Sequence, residues 1–271
     1  MIYDITTIDA AYNTIKRLLN IQPRDLRNYL NDKKDKDFSD FIEKYNAKIE
    51  QINLQNLKLV VMHITSSIDD CVDIRKYGIK NLQWVLSNET KLSKFLEKEG
   101  IIFDINQGKM FVNDKEYNIK YEQYEEIEYS LTELEEKVED ISYKIYCDYQ
   151  INGLFCVNSR FNYGTTDIRK HPEFLEALSK ILEQEKLVSK WERYSKGYVI
   201  YFEAKVSELE YYSFGAEVSD DEDYLEIKEY LVYMALERCV EEDLERYVYM
   251  KPNIGVLKNN IKEIIEIKEN K

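Results

Sequence analysis

Three groups in this 271-residue chain have the residue types for chemistry on a ligand. One is His63, where an apolar run gives way to Ile64-Thr65-Ser66; the second is a glycine-aromatic block, Ile151 to Gly164, with Phe155 and Tyr163; the third is Glu245, a few residues ahead of Tyr247-Val248-Tyr249. A histidine leaving a strand can bond a ligand hydroxyl through one ring nitrogen while the backbone fixes the other. An aromatic face in a cleft can stack on a flat ring, most strongly a cationic one. A carboxylate held at the mouth of a strand can stabilise positive charge developing on a sugar carbon or activate a hydroxyl nucleophile, as the acids of glycosidases do. Each type also has an ordinary place: Glu245 as a solvated surface acid, His63 as a hydrogen-bonded core or rim residue, Tyr163 as one of 23 tyrosines in core or surface.

The elements that must position these groups follow from periodicity. Ile8, Ala11, Tyr12, Ile15, Leu18 and Leu19 recur at helical spacing, and DFSDFIEKYNAKIEQI repeats the pattern behind an Asp/Ser cap, with the charged loop NDKKDKD between them. LKLVVMHIT, Leu57 to Thr65, is an apolar run of strand length; SIDDCVDIRKYGI after it reads as a capped helix ending at Gly78. GIIFDI, KMFV and KEYNIKY read as strands. YEEIEYSLTELEEKVEDI keeps Ile127, Leu131, Leu134, Val138 and Ile141 at helical spacing, so its charge run is a solvated helix face. After the block GLFCV and the loop NSRFNYGTTDIRKHP come a helix, FLEALSKILEQEKLV, a strand, YVIYFEAKV, and a long helix, DYLEIKEYLVYMALERCVEED. Tyr247–Met250 and the isoleucines at 261, 264, 265 and 267 form two closing strands around a turn at Pro252, Asn253 and Gly255. Strands and helices without regular alternation predict an α+β fold, with residues 1–54 as a helical appendage and 55–271 as the main domain.

Composition narrows the classes. A hydrophobic share of 44% and an aromatic share of 13% predict a folded globular chain. The excess of 52 acidic over 38 basic residues, a net charge of -14, disfavours broad contact with phosphate backbones. Cys71, Cys147, Cys156 and Cys239 have neither zinc nor secreted-disulfide spacing, and His63 and His171 are the whole imidazole supply, so no metal site is expected. With no signal peptide and no apolar run of membrane-spanning length, a cytoplasmic location and no membrane partner are expected. There is no G-x-G-x-x-G, Walker loop or internal repeat. His171 lies just before a Pro-led helix, which places it in a loop or cap and makes it a weak candidate for a hydrolase base.

In order, VVMHIT leading through a helix to YGI, GLFCV leading to FNY, and ERYVYM leading to NIKEIIEI resemble the His-Tyr-Glu signature of the ADP-ribosyltransferase superfamily, in the branch of diphtheria toxin and the poly(ADP-ribose) polymerases. The resemblance runs from about residue 57 to 267. Ile64 stands where the family has glycine, Leu154 and Phe155 occupy the Gly-Ile-Tyr block, and about a hundred residues separate His63 from Tyr163. It implies a split β-sandwich with flanking helices and NAD as substrate. His63 would bond a ribose hydroxyl with Thr65 assisting, Tyr163 would stack on the nicotinamide with Phe155 supplying a second face, and Glu245 would bond the nicotinamide ribose 2'-hydroxyl. The implied activity is mono-ADP-ribosyl transfer to an unidentified macromolecule, with protein favoured over nucleic acid on charge, as in a toxin or phage-defence effector; water is the other acceptor, in an NAD glycohydrolase. The alternative is a non-catalytic acidic interaction or immunity protein on a degenerate transferase fold, supported by the acidic stretches 125–140 and 219–224.

Overall fold

A computed structural model describes residues 1–32, 37–125, 131–157, 167–182, 186–215 and 224–268. The chain begins with β1 (Ile2–Tyr3), α1 (Ile8–Leu19), α2 (Pro23–Asp32) and α3 (Ser39–Glu50), followed by β2 (Lys58–Ser67). Three short helices follow, α4 (Val72–Tyr77), α5 (Leu82–Ser87) and α6 (Lys91–Lys98), then a meander of β3 (Ile101–Asp104), β4 (Lys109–Val112) and β5 (Lys115–Asn118). Next come α7 (Glu122–Glu125), α8 (Glu133–Tyr146), β6 (Asn152–Cys156), α9 (Glu173–Leu182) and α10 (Lys186–Glu192). The last elements are β7 (Lys196–Lys205), α11 (Tyr224–Val240), β8 (Arg246–Tyr249) and β9 (Ile261–Glu266). One sheet has the order β8-β6-β2-β7-β9 with β1 paired in parallel to β2; the other is β3-β4-β5, antiparallel throughout. The fold is thus α+β with antiparallel pairing dominant.

The chain forms two compact units. The first comprises Met1–His63, Asn152–Asn162 and Tyr201–Lys251. Its axis is α11, which buries Ile227, Leu231, Val232, Met234, Ala235 and Leu236 and is covered by α1 and α3. Such all-round burial is why α11 lacks a clear apolar stripe. Thr7 caps α1 by accepting from the Ala10 N–H at 3.1 Å, and Tyr3, fully buried, donates to the Leu231 carbonyl at 3.0 Å. Burying large residues such as Ile15, Leu19, Phe41 and Phe202 contributes roughly 1.5–3 kcal/mol each. Residues 1–54 are therefore built into this unit, where an appendage was expected: their apolar side has α11 to cover it.

The second unit comprises Ile64–Ile151, Tyr163–Ile200 and Pro252–Lys271. Met110, Ile119, Val138, Ile141, Ile145, Leu175, Leu178 and Trp191 fill its core. The acidic helix α8 begins on a Thr132/Glu135 capping box and buries Val138 and Ile141 as periodicity predicts, together with Ile145; Leu131 lies ahead of the helix, Leu134 in its first turn is exposed, and Ile127 lies outside the described residues. α4 stops at Gly78 with φ +80°, where a Cβ would lie 1.9 Å from the Val256 carbonyl oxygen. Helices α2, α5 and α6 were not anticipated; α5 and α6 are short, and begin on Asn81 and Thr90 caps that the apolar pattern alone does not reveal. Among the described residues no helix is long and apolar enough to cross a membrane.

Candidate functional site

Strand β2 changes its buried side midway: Leu59 and Val61 are buried, then Met62, Ile64 and Ser66. His63 and Thr65 fall on the half-open side that this change creates. Met62 pairs with Leu154 on β6, so the next residue, His63, comes level with Gly153. A Cβ at Gly153 would lie 2.4 Å from Val61 Cγ1 and 3.0 Å from the Met62 carbonyl oxygen; glycine lets the two strands meet here. His63 Nδ1 is 2.7 Å from the Asn152 carbonyl oxygen. A carbonyl only accepts, so Nδ1 carries the proton and Nε2 of the neutral ring is an acceptor. Burial, which favours the neutral ring, pulls the imidazole pKa below its ordinary value, and the hydrogen bond to Asn152 opposes this only in part. Nε2 has no hydrogen bond among the described residues, and the buried Asn152 Oδ1 is likewise unpartnered there.

The segment after His63 is tightly bonded within the second unit. Ser66 Oγ accepts from Trp191 Nε1 at 3.0 Å, and Ser67 Oγ donates to Asp69 Oδ1 at 2.6 Å while accepting from the Cys71 N–H. Asp70 and Cys71 both adopt positive φ, 54° and 61°; Asp70 accepts from Tyr198 at 2.7 Å and Lys196 at 2.9 Å, which holds its carboxyl below the usual range. Burial pushes the Cys71 thiol up to about 12, so it is inert. Thr65 is half-buried beside this segment.

Glu245 directly precedes β8. That strand pairs with β6 through Tyr249–Asn152, Val248–Gly153 and Tyr247–Leu154, then steps over Phe155 to Arg246–Cys156. The extra residue in this bulge, Phe155, is 1% exposed and packs against Tyr3 and Phe214, each with ring centroids 6.3 Å away. Its expected role as a nicotinamide-facing ring is therefore corrected: β6 is buried on both faces from Gly153 to Cys156, and Phe155 belongs to the core. Glu245 is half-buried and its Oε1 accepts from the Tyr247 hydroxyl at 2.8 Å. Arg246 donates to the Glu245 carbonyl at 3.0 Å and is anchored by Glu237 of α11 at 2.9 Å. Upstream, the buried Arg238 guanidinium bonds the Glu241 and Glu242 carbonyls, the Thr6 carbonyl and, at 3.5 Å, the Val157 carbonyl, fixing the turn that leads to Glu245.

The strands carrying His63, the glycine-aromatic block and Glu245 are thus neighbours. His63 stands at the start of β6 and Glu245 beyond its end, separated along the strand by roughly 10 Å at about 3.3 Å per residue. Alternation sends them to opposite faces: Glu245 leaves with Tyr247, across from Leu154, and His63 leaves with Gly153. Tyr163 lies outside the described residues. His171 is buried with Nδ1 2.9 Å from Glu192 Oε1, a loop position beside Pro172 as its sequence context predicts. Among the described residues no group of three or more His, Cys, Asp or Glu is placed to hold a metal ion. The sequence reading missed Tyr247, Arg238 and Asn152; the two-residue strand spacing from Glu245 would have found the first. The chain matches no known family model, no curated protein and no solved structure.

Proposed function

We propose that the chain is an NAD-dependent mono-ADP-ribosyltransferase, built as an ADP-ribosyltransferase-like split β-sandwich. The observation that carries this reading is the contiguity of β8, β6 and β2, which sets the three motif strands side by side although about 180 residues separate the outer two. The His63 tautomer supports it: with Nδ1 committed to the Asn152 carbonyl, Nε2 accepts from a ribose hydroxyl. By the resemblance, Thr65, two residues beyond His63, assists it, and Tyr163 stacks on the nicotinamide. Glu245 accepts from the nicotinamide ribose 2'-hydroxyl and stabilises the oxocarbenium-like sugar as the glycosidic C–N bond breaks. The bonding pair leaves with nicotinamide, and the acceptor nucleophile adds to the sugar carbon and loses its proton. Protein is favoured over nucleic acid as acceptor, given the net charge of -14, and a toxin or phage-defence effector is the setting we assign.

A second reading is favoured by the burial of Phe155 and the opposite faces of His63 and Glu245: a non-catalytic protein on the same strand plan that pairs its acidic surface with a partner. Nicotinamide release by purified protein, beside Glu245→Gln, separates the two. Transfer predicts release by wild type and a loss of about a hundredfold or more in kcat for Glu245→Gln with NAD binding kept. Equal turnover by the variant sinks the assignment of Glu245; absence of both release and NAD binding moves the function to the interaction protein. Labelled NAD in cell lysate distinguishes transfer from hydrolysis.

A further inference from the structure

Glu245 has three rotatable side-chain bonds and stands half-buried at a strand end, so something must set its carboxylate in one orientation if it is to meet a developing charge. Two contacts do this from β8 itself. Arg246 Nη1 bonds the Glu245 carbonyl at 3.0 Å and fixes the peptide; the Tyr247 hydroxyl donates to Oε1 at 2.8 Å and fixes the carboxylate. Residues two apart on a strand share a face, so Tyr247 reaches Glu245 without distorting β8, and the pairing of Tyr247 with Leu154 holds its backbone in register. Oε2 has no hydrogen bond among the described residues. We propose that Tyr247 is a positioning residue for Glu245: it occupies Oε1 and leaves Oε2 as the oxygen that accepts from a sugar hydroxyl.

The inference rests on the transferase reading and goes beyond it, since neither the signature nor its spacing assigns a role to Tyr247. Tyr247 is 48% exposed, so removing its hydroxyl leaves the core untouched. The test is a double-mutant cycle on nicotinamide release by the full chain, with Tyr247→Phe, Glu245→Gln and the pair, folding being checked by circular dichroism. Tyr247→Phe is expected to lower kcat about tenfold with the KM for NAD within about twofold, because a tilted carboxylate weakens the transition state and not the bound substrate. In the Glu245→Gln background the same change is expected to have no further effect, since Tyr247 acts through Glu245. Wild-type kcat in Tyr247→Phe overturns the inference alone, as does an equal loss in both backgrounds. If the wild type releases no nicotinamide, the transferase reading fails and takes this role of Tyr247 with it.

Discussion

His63 and Glu245 flank the same strand, β6, but are held by different means. His63 is fixed by main chain: its Nδ1 proton goes to the Asn152 carbonyl, and the close approach of β2 and β6 at Gly153 sets the distance. Glu245 is fixed by side chains: the Tyr247 hydroxyl on its carboxylate, the Arg246–Glu237 ion pair on its peptide, and Arg238 on the turn before it. A main-chain tether disappears only if the strands part, whereas a side-chain tether can be removed one group at a time. The histidine end is therefore insulated from substitution of its partners, and the glutamate end is adjustable.

The largest effect that would break this contrast is expected at Arg238. Its guanidinium is buried and bonds carbonyl oxygens alone among the described residues, so Arg238→Met strips the donor from several acceptors at once. We expect a loss of about 3 kcal/mol or more in urea unfolding, since each buried polar group left unpaired costs about 1–3 kcal/mol. A loss under about 1 kcal/mol would mean water reaches those carbonyls and the turn is not held from within. At the other end, Gly153→Ala pushes a methyl group against Val61 and the Met62 carbonyl, with an expected cost of about 1–3 kcal/mol. Its signature is a shifted His63 imidazole resonance; an unmoved resonance with full stability would show that the strands part without loosening the ring.

The smallest effect sharpens the contrast through pH. His63 has a folded pKa below its ordinary value of 6.5, with burial as the main cause. The folded state thus favours the neutral ring, and the corresponding stability is full above pH 6.5 and is lost as pH falls from there through the lowered folded value. His63→Gln is expected to flatten that part of the acid-side decline in urea midpoint between pH 7 and 5. An unchanged slope would assign the decline to carboxylates.

Most of the framework was legible in the sequence because single-element periodicity encodes it: β2, β8, β9, the buried Val138 and Ile141 of α8 and the stop of α4 at Gly78 all follow from local pattern. Phe155 was misplaced because its burial depends on Tyr3 and Phe214, distant in sequence, which the strand's own pattern does not reveal. The relation of His63 to Glu245 was beyond reach for the same reason, since alternation fixes faces only once pairing is known. The N-terminal helices looked separable because nothing local to Ile8–Leu19 reveals that its partner is α11, over two hundred residues later.

The interleaving of the two units bears on how this chain can be made and divided. β6 must wait for β8, some ninety residues downstream, before its outer side is paired, and the second unit draws on residues after 251. A growing chain therefore keeps strand edges unpaired until residues 246–249 have been made, a situation that favours slow closure and chaperone attendance. Cutting at residue 54 would bare the surface of α11, and stopping before 246 would bare β6, so neither trimmed chain is expected to behave as a smaller version of the whole.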